Sequence, residues 1–299
     1  MSQKLYSNNG KFQNHIKSKP KRKQKVRWVK IVLLVMCSLV LLAMIGVGIF
    51  LLHNRNAEAE LQELSAQVQL STKAVGTTED ATTAPSVSTE PSVTVEPTTA
   101  TVPVETKLEM LPQYKDLYAT NNEMVGWIKI DDTKIDYPVM HTPDDPQKYL
   151  HMSFSQANSY PGVPFIDAGC TMESQNLLIY AHNMPNGTMF RDLMQYQQKN
   201  FWQQHPTITF NTLYEEQEYE VIVAFYDRVY YTWETGMFKF YQFIDPETED
   251  EFNDGIAAMK EKALYDTGVT AQYGDQLITL VTCAYHTDHG RFVVVARKK

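Results

Sequence analysis

Cysteine is scarce in this sequence, with three in 299 residues. That excludes a small disulfide-stapled scaffold, which needs closely spaced even sets of Cys. The chain has no internal repeat and no Gly-rich phosphate loop, and upstream of residue 280 no zinc-ligand spacing. Acidic residues are missing altogether from positions 1–30, which hold ten Lys or Arg. The remaining residues carry 17 basic against 35 acidic side chains, a net charge of −18. The whole-chain charge of −8 therefore averages two unlike regions. The basic end abuts an apolar run, so it does not read as a nucleic-acid surface.

That run, residues 31–52, lacks any charge. At about 1.5 Å rise per residue, a helix of this length crosses the roughly 30 Å hydrocarbon layer of a bilayer. Lys17, Lys19, Lys21, Arg22, Lys23, Lys25, Arg27 and Lys30 precede it. Basic flanks stay cytoplasmic, which predicts a cytoplasmic N-terminus, a single span in the lipid bilayer and an extracellular remainder. A cleaved signal peptide is the competing reading. The run exceeds a signal-peptide apolar core, and Ala57/Ala59 is a weak cleavage signal. Uncleaved anchoring is the reading taken.

Four regions follow. Residues 1–30 read as a basic cytoplasmic tail and 31–52 as a transmembrane helix. Residues 53–106 begin as a helical continuation, with Ala59, Leu61, Leu64 and Val68 as a weak apolar stripe. They then turn into a Thr/Ser/Pro/Val/Glu segment without aromatics over 71–106, which reads as a disordered, extended stalk. Residues 107–299 form one catalytic domain. A short helix opens it near 110–121. Strand patterns follow at 125–130, 134–140, 163–167, 176–182, 207–214, 218–226, 276–285 and 291–298. Asp131-Asp132-Thr133 reads as a hairpin turn. A helix is predicted over 188–204 with Thr188 as its cap, and another within 248–268 with Gly268 as its C-cap. Seven or eight strands with a few helices fit a mainly β, closed or nearly closed barrel.

In the last hairpin, alternation puts Leu277, Thr279, Val281 and Cys283 on one face, and Arg291, Val293 and Val295 on one face of the next strand. Pairing across a loop at 284–290 brings Cys283 and Arg291 to one end. A guanidinium there favours a thiolate and can hold an oxyanion. By itself this Cys is as readily a core residue. His182 ends an apolar strand and enters a turn, a place suited to a catalytic base or to a hydrogen-bonded structural His. His141, His151 and His205 carry no supporting pattern. Cys283, His286 and His289 have compact metal-ligand spacing, but a tight Thr/Asp/Gly loop supports zinc poorly, and no metal is assigned. Cys37 lies in the apolar run. A Cys170–Cys283 bridge stays open at this level, and would block Cys283.

The sequence TLVTC at 279–283 resembles the TLxTC signature of sortases, and Arg291 follows at the family's distance in RFVVVA. YAHNMPNGTMF (180–190), NNEMVGWIKIDDTKIDYPV (121–139) and KYLHMSF (148–154) resemble class B members. The resemblance spans about residues 107–299. It implies an eight-stranded sortase-type β-barrel with N-terminal helices and a helix in the insert between strands six and seven. It implies a cysteine transpeptidase with Cys283 as nucleophile, His182 as catalytic His and Arg291 as catalytic Arg. Leu150 and Thr282 would line the signal pocket. No cofactor is needed. The partners would be secreted proteins bearing a sorting signal and an amine of a peptidoglycan precursor or cross-bridge, or a pilin lysine. Ala181 stands where the family usually has Gly, and Val281 occupies the variable position. Wall anchoring is the leading reading. Pilin polymerisation, a hydrolytic cysteine protease and an inert surface-displayed barrel are the alternatives.

Overall fold

A computed structural model describes residues 21–76 and 108–299. The predicted tail before residue 21 and the stalk over 77–107 lie outside the described residues. The chain divides after Leu52 into two units. The first contains the inner part of helix α1 (Lys21–Gly76), and α1 is long and apolar enough to cross a membrane. Its large apolar side chains from Ile31 to Leu52 are exposed.

The second unit is a closed barrel with strand order β1-β2-β3-β4-β7-β8-β6-β5. The strands are β1 (Met124–Lys129), β2 (Asp136–Met140), β3 (Phe165–Ile166), β4 (Asn176–Tyr180), β5 (Thr207–Thr212), β6 (Glu218–Arg228), β7 (Leu277–Cys283) and β8 (Gly290–Lys298). The predicted turn at 131–133 joins β1 to β2 as an antiparallel hairpin. Two neighbouring pairs, β2·β3 and β4·β7, are parallel. Helix α2 (Pro112–Thr120) starts with Pro at its first turn, where a missing N–H costs nothing.

Alternation sorts the β7 and β8 side chains into two packed layers. Ile278, Leu280, Phe292, Val294 and Ala296 fill the barrel interior. Leu277, Val281, Val293 and Val295 face outward into a second cluster. Helix α4 (Glu249–Glu261), in the insert between β6 and β7, covers that cluster with Phe252, Ile256 and Met259. Their spacing makes one stripe of a helix. Thr248 caps α4 by accepting from the Glu251 N–H, and three acids in the first turn suit the positive helix end.

Three local expectations differ from the structure. Residues 188–204 do not form one helix. Met189 takes φ +55°, the Phe190 N–H returns to the His182 carbonyl, and Gln198 is extended. A 3₁₀ turn (Asp192–Gln197) and the short α3 (Lys199–Gln204) result. Thr188 bonds Asn186 rather than capping a helix. Gly268 does not end α4, which stops at Glu261; with φ +71° it sits in a turn held by Asp266. The outer part of α1 buries Ala57, Leu61 and Val68 on the barrel, with Leu64 partly buried, while Ala59 faces away. Steps of four, three and four keep that stripe in phase, and Ala59 is out of phase. Ser65 and Gln69 donate to Asp136 at 2.6 and 3.1 Å, so the segment from Ala57 to Gln69 is docked on the barrel.

Candidate active site

Three neighbouring strands, β4, β7 and β8, end at one rim of the barrel. The β4·β7 register pairs Tyr180 with Val281, and the Ala181 N–H donates to the Val281 carbonyl at 3.2 Å. Counting two residues further along the same register, His182 falls level with Cys283. The β7·β8 register pairs Cys283 directly with Arg291. His182, Cys283 and Arg291 therefore come from three separate stretches and reach one level of one rim. Cys283 continues the outward stripe of Leu277, Thr279 and Val281, beside the insert that carries α4. It is partly exposed, so a substrate can reach it.

Cys283 and Cys170 are both free. Cys170 is buried with its thiol 3.5 Å from the Asn176 carbonyl, and burial pushes its pKa up to about 12. It is an inert core thiol.

His182 is half-buried. Its Nε2 lies 3.0 Å from the Leu150 carbonyl. A carbonyl only accepts, so Nε2 carries the hydrogen and Nδ1 keeps a lone pair. His151 and Tyr160 stack on the ring at centroid distances of 5.4 and 6.2 Å. Burial holds the imidazole below its usual pKa; the Leu150 carbonyl opposes this, and the neighbouring His151 adds to it. The neutral form is favoured, which is the form able to take a proton.

Arg291 donates from Nη1 to the carbonyls of Gly290 (2.9 Å) and His289 (3.2 Å). On β6, Asp227 is its cross-strand neighbour, yet that carboxylate is taken by Lys262 at 2.6 Å and Tyr230 at 2.8 Å. Among the described residues Arg291 makes no ion pair, so its charge remains available to an incoming anion. The Ala284 N–H, next to Cys283, is committed to the Gly290 carbonyl at 3.0 Å.

The other expected residues are less uniform. Leu150 is beside His182, touching it through its backbone. Thr282, expected in the signal pocket, is instead 1% exposed on the opposite face of β7, and its hydroxyl donates to the Ala181 carbonyl at 2.8 Å. His286 and His289 contact the rings of Tyr226 and Tyr231 at 4.8 and 5.3 Å. Sequence reasoning missed His151, Tyr160, Asn183 and Arg191. Asn183 was in view, directly after His182, but its partner lies 100 residues further on.

A barrel-rim thiol whose strand partner is an arginine, with a neutral imidazole entering the same rim, has the layout for thiol-dependent acyl transfer. Residues 128–299, more than half of the chain, match the sortase domain family. Sortase B of Listeria monocytogenes is 35% identical over 190 residues, covering 62% of this chain and 74% of the relative. A sortase B structure from Bacillus anthracis in complex with AAEK1 is 30% identical with a TM-score of 0.55, covering 63% of this chain and 85% of that one. A Staphylococcus aureus sortase B–substrate complex shares the fold at 22% identity and a TM-score of 0.63, covering 83% and 98%. The chain belongs to the sortase family, within class B, and is a cysteine transpeptidase.

Proposed function

We propose that this sortase is anchored by α1 with its N-terminus cytoplasmic and its barrel extracellular, and transfers secreted proteins to cell-wall peptidoglycan. The charge step from ten basic residues before the span to a net acidic remainder supports that orientation. Its substrate is a C-terminal sorting signal cut after Thr. The observation carrying this reading is the shared rim level of His182, Cys283 and Arg291.

Cys283 attacks the scissile carbonyl. Neutral His182 accepts the thiol proton and returns it to the departing amine. Arg291 holds the oxyanion of the tetrahedral intermediate, assisted by backbone N–H groups that become available with substrate bound. Collapse leaves the acyl group on the sulfur as a thioester. An amine, deprotonated by His182, then attacks that thioester, forms an amide and releases the thiol. The thioester keeps the acyl group reactive toward an amine rather than losing it to water. Leu150 borders the signal pocket beside His182. Thr282 holds the rim together from within.

The test is incubation of the enzyme with NPxTN-like and LPxTG-like peptides, with and without short amino-terminal glycine peptides. The reading requires an amide-linked product whose yield depends on the amine. Equal cleavage in both conditions without ligation would mark a hydrolase, and no cleavage with any signal would discard the reading.

A further inference from the structure

Strand β4 ends at Tyr180, two residues short of the level of the reacting residues. Two side chains carry the pairing further. The Thr282 hydroxyl donates to the Ala181 carbonyl at 2.8 Å. The Asn183 Nδ2 donates to the Cys283 carbonyl at 2.8 Å, in the direction the next backbone N–H would have taken after Ala181 to Val281. A side-chain amide thus substitutes for a missing rung, at the level of His182 and Cys283.

The amide's orientation is fixed from the other side. Arg191 Nη1 donates to Asn183 Oδ1 at 3.1 Å, so the oxygen faces Arg191 and the NH2 must face Cys283. Asn183 is 6% exposed, while Arg191 is exposed. The turn between them is closed by the Phe190 N–H on the His182 carbonyl at 2.9 Å. The loop that carries His182 is thereby tied to the strand that carries Cys283 through one side chain, which is itself held by a second.

We propose that Asn183, oriented by Arg191, is a positioning residue that sets the spacing and register of His182 against Cys283. The inference rests on the Cys–His reading above. Both act through their contacts with the Cys283 carbonyl and with each other. Proton transfer tolerates little misplacement, and a shift of about 1 Å can cost on the order of 100-fold in rate.

The experiment uses the full-length enzyme in detergent, with single-turnover acylation by a cleavable sorting peptide. Asn183→Asp keeps the acceptor for Arg191 but cannot donate to the Cys283 carbonyl. It is expected to slow acylation roughly 10- to 100-fold while KM changes less than about threefold. Arg191→Ala is expected to slow it by a smaller factor, with Arg191→Lys recovering part of the loss. In Asn183→Ala the Arg191→Ala change should add nothing, because the two residues act as a unit. Asn183→Ala should also move the His182 titration upward as the loosened loop admits water, a readout that a purely structural bond would leave in place. Acylation within twofold of wild type in both Asn183→Asp and Arg191→Ala overturns the proposal, as do losses that multiply independently. If the Asn183 variants do not fold, surface Arg191→Ala and Arg191→Lys decide alone: unchanged rates sink the relay. Cys283→Ala runs as a control. Residual acylation there would overturn the reaction reading itself, whereas a dead Cys283→Ala with unaffected Asn183 variants removes only this inference.

Discussion

Replacing Arg291 separates charge from geometry at the rim. Its backbone pairs directly with Cys283, which brings the two Cβ atoms to about 4.5–5.5 Å. The oxyanion that forms on a carbonyl bonded to the sulfur then lies within reach of the guanidinium. A unit charge at about 4 Å contributes roughly 4 kcal/mol at an effective dielectric near 20. Loss of one oxyanion donor in other acyl-transfer enzymes costs about 2.7–4 kcal/mol. The two figures agree, so Arg291→Ala should slow acylation roughly 100- to 1,000-fold. Commitment of the Ala284 N–H to Gly290 strengthens the expectation, because a ready backbone substitute is lacking in the resting site. Arg291→Lys keeps the charge and loses the fork, so it should be intermediate. Rapid-quench single-turnover kinetics, with the rate constant and KM resolved separately, provide the assay. An Arg291→Ala enzyme that acylates within about threefold of wild type would refute the electrostatic role assigned from this geometry.

Other consequences follow from the same contacts. Titration of His182 by NMR should give a pKa below the ordinary 6.5, since burial disfavours the charged ring. With the folded value lowered, the group's contribution to stability is present above the unfolded pKa and lost as pH falls through the folded one. His151→Gln removes a like-charge neighbour, so the His182 value should rise; a fall would contradict the arrangement. Gly290→Ala would push a Cβ to 2.2 Å from the Ala284 carbonyl and 2.9 Å from the His286 ring. The hairpin end should spread, abolishing acylation while circular dichroism stays near wild type; normal acylation would speak against this close approach. Leu61→Asp inserts a charge where α1 meets the barrel. Hydrogen exchange should quicken in the outer half of α1 and not in β7 or β8, and uniform protection would show that the docking is not as described.

Much of this architecture was legible because it is local. Period-two alternation exposed the outward stripe ending at Cys283, and the turn at 131–133 set the first hairpin. The helix within 248–268 was readable for the same reason, though its end at Glu261 was not. Long-range pairing was not. Nothing in the segment around Asn176 announces a parallel partner a hundred residues later, yet that pairing brings His182 level with Cys283. The 188–204 segment misled because its apolar spacing also suits a 3₁₀ turn, and backbone bonds to His182 and a positive φ at Met189 override helix propensity. Thr282 was misplaced because the resemblance outweighed strand parity, which already put it on the face opposite Cys283. The docking of the segment from Ala57 to Gln69 escaped because a stripe of Ala57, Leu61, Leu64 and Val68 is weak until its partner surface, which includes Asp136, is known.

The covalent step is the point at which the account is most exposed. Wild-type enzyme mixed with a sorting peptide, quenched in acid within a turnover and weighed intact, should gain the mass of the peptide's amino-terminal fragment. Digestion should map that mass to Cys283, and a chase with an amine should discharge it into a ligated peptide. A peptide cleaved by Cys283→Ala at the wild-type rate, with no adduct on any cysteine, would contradict it.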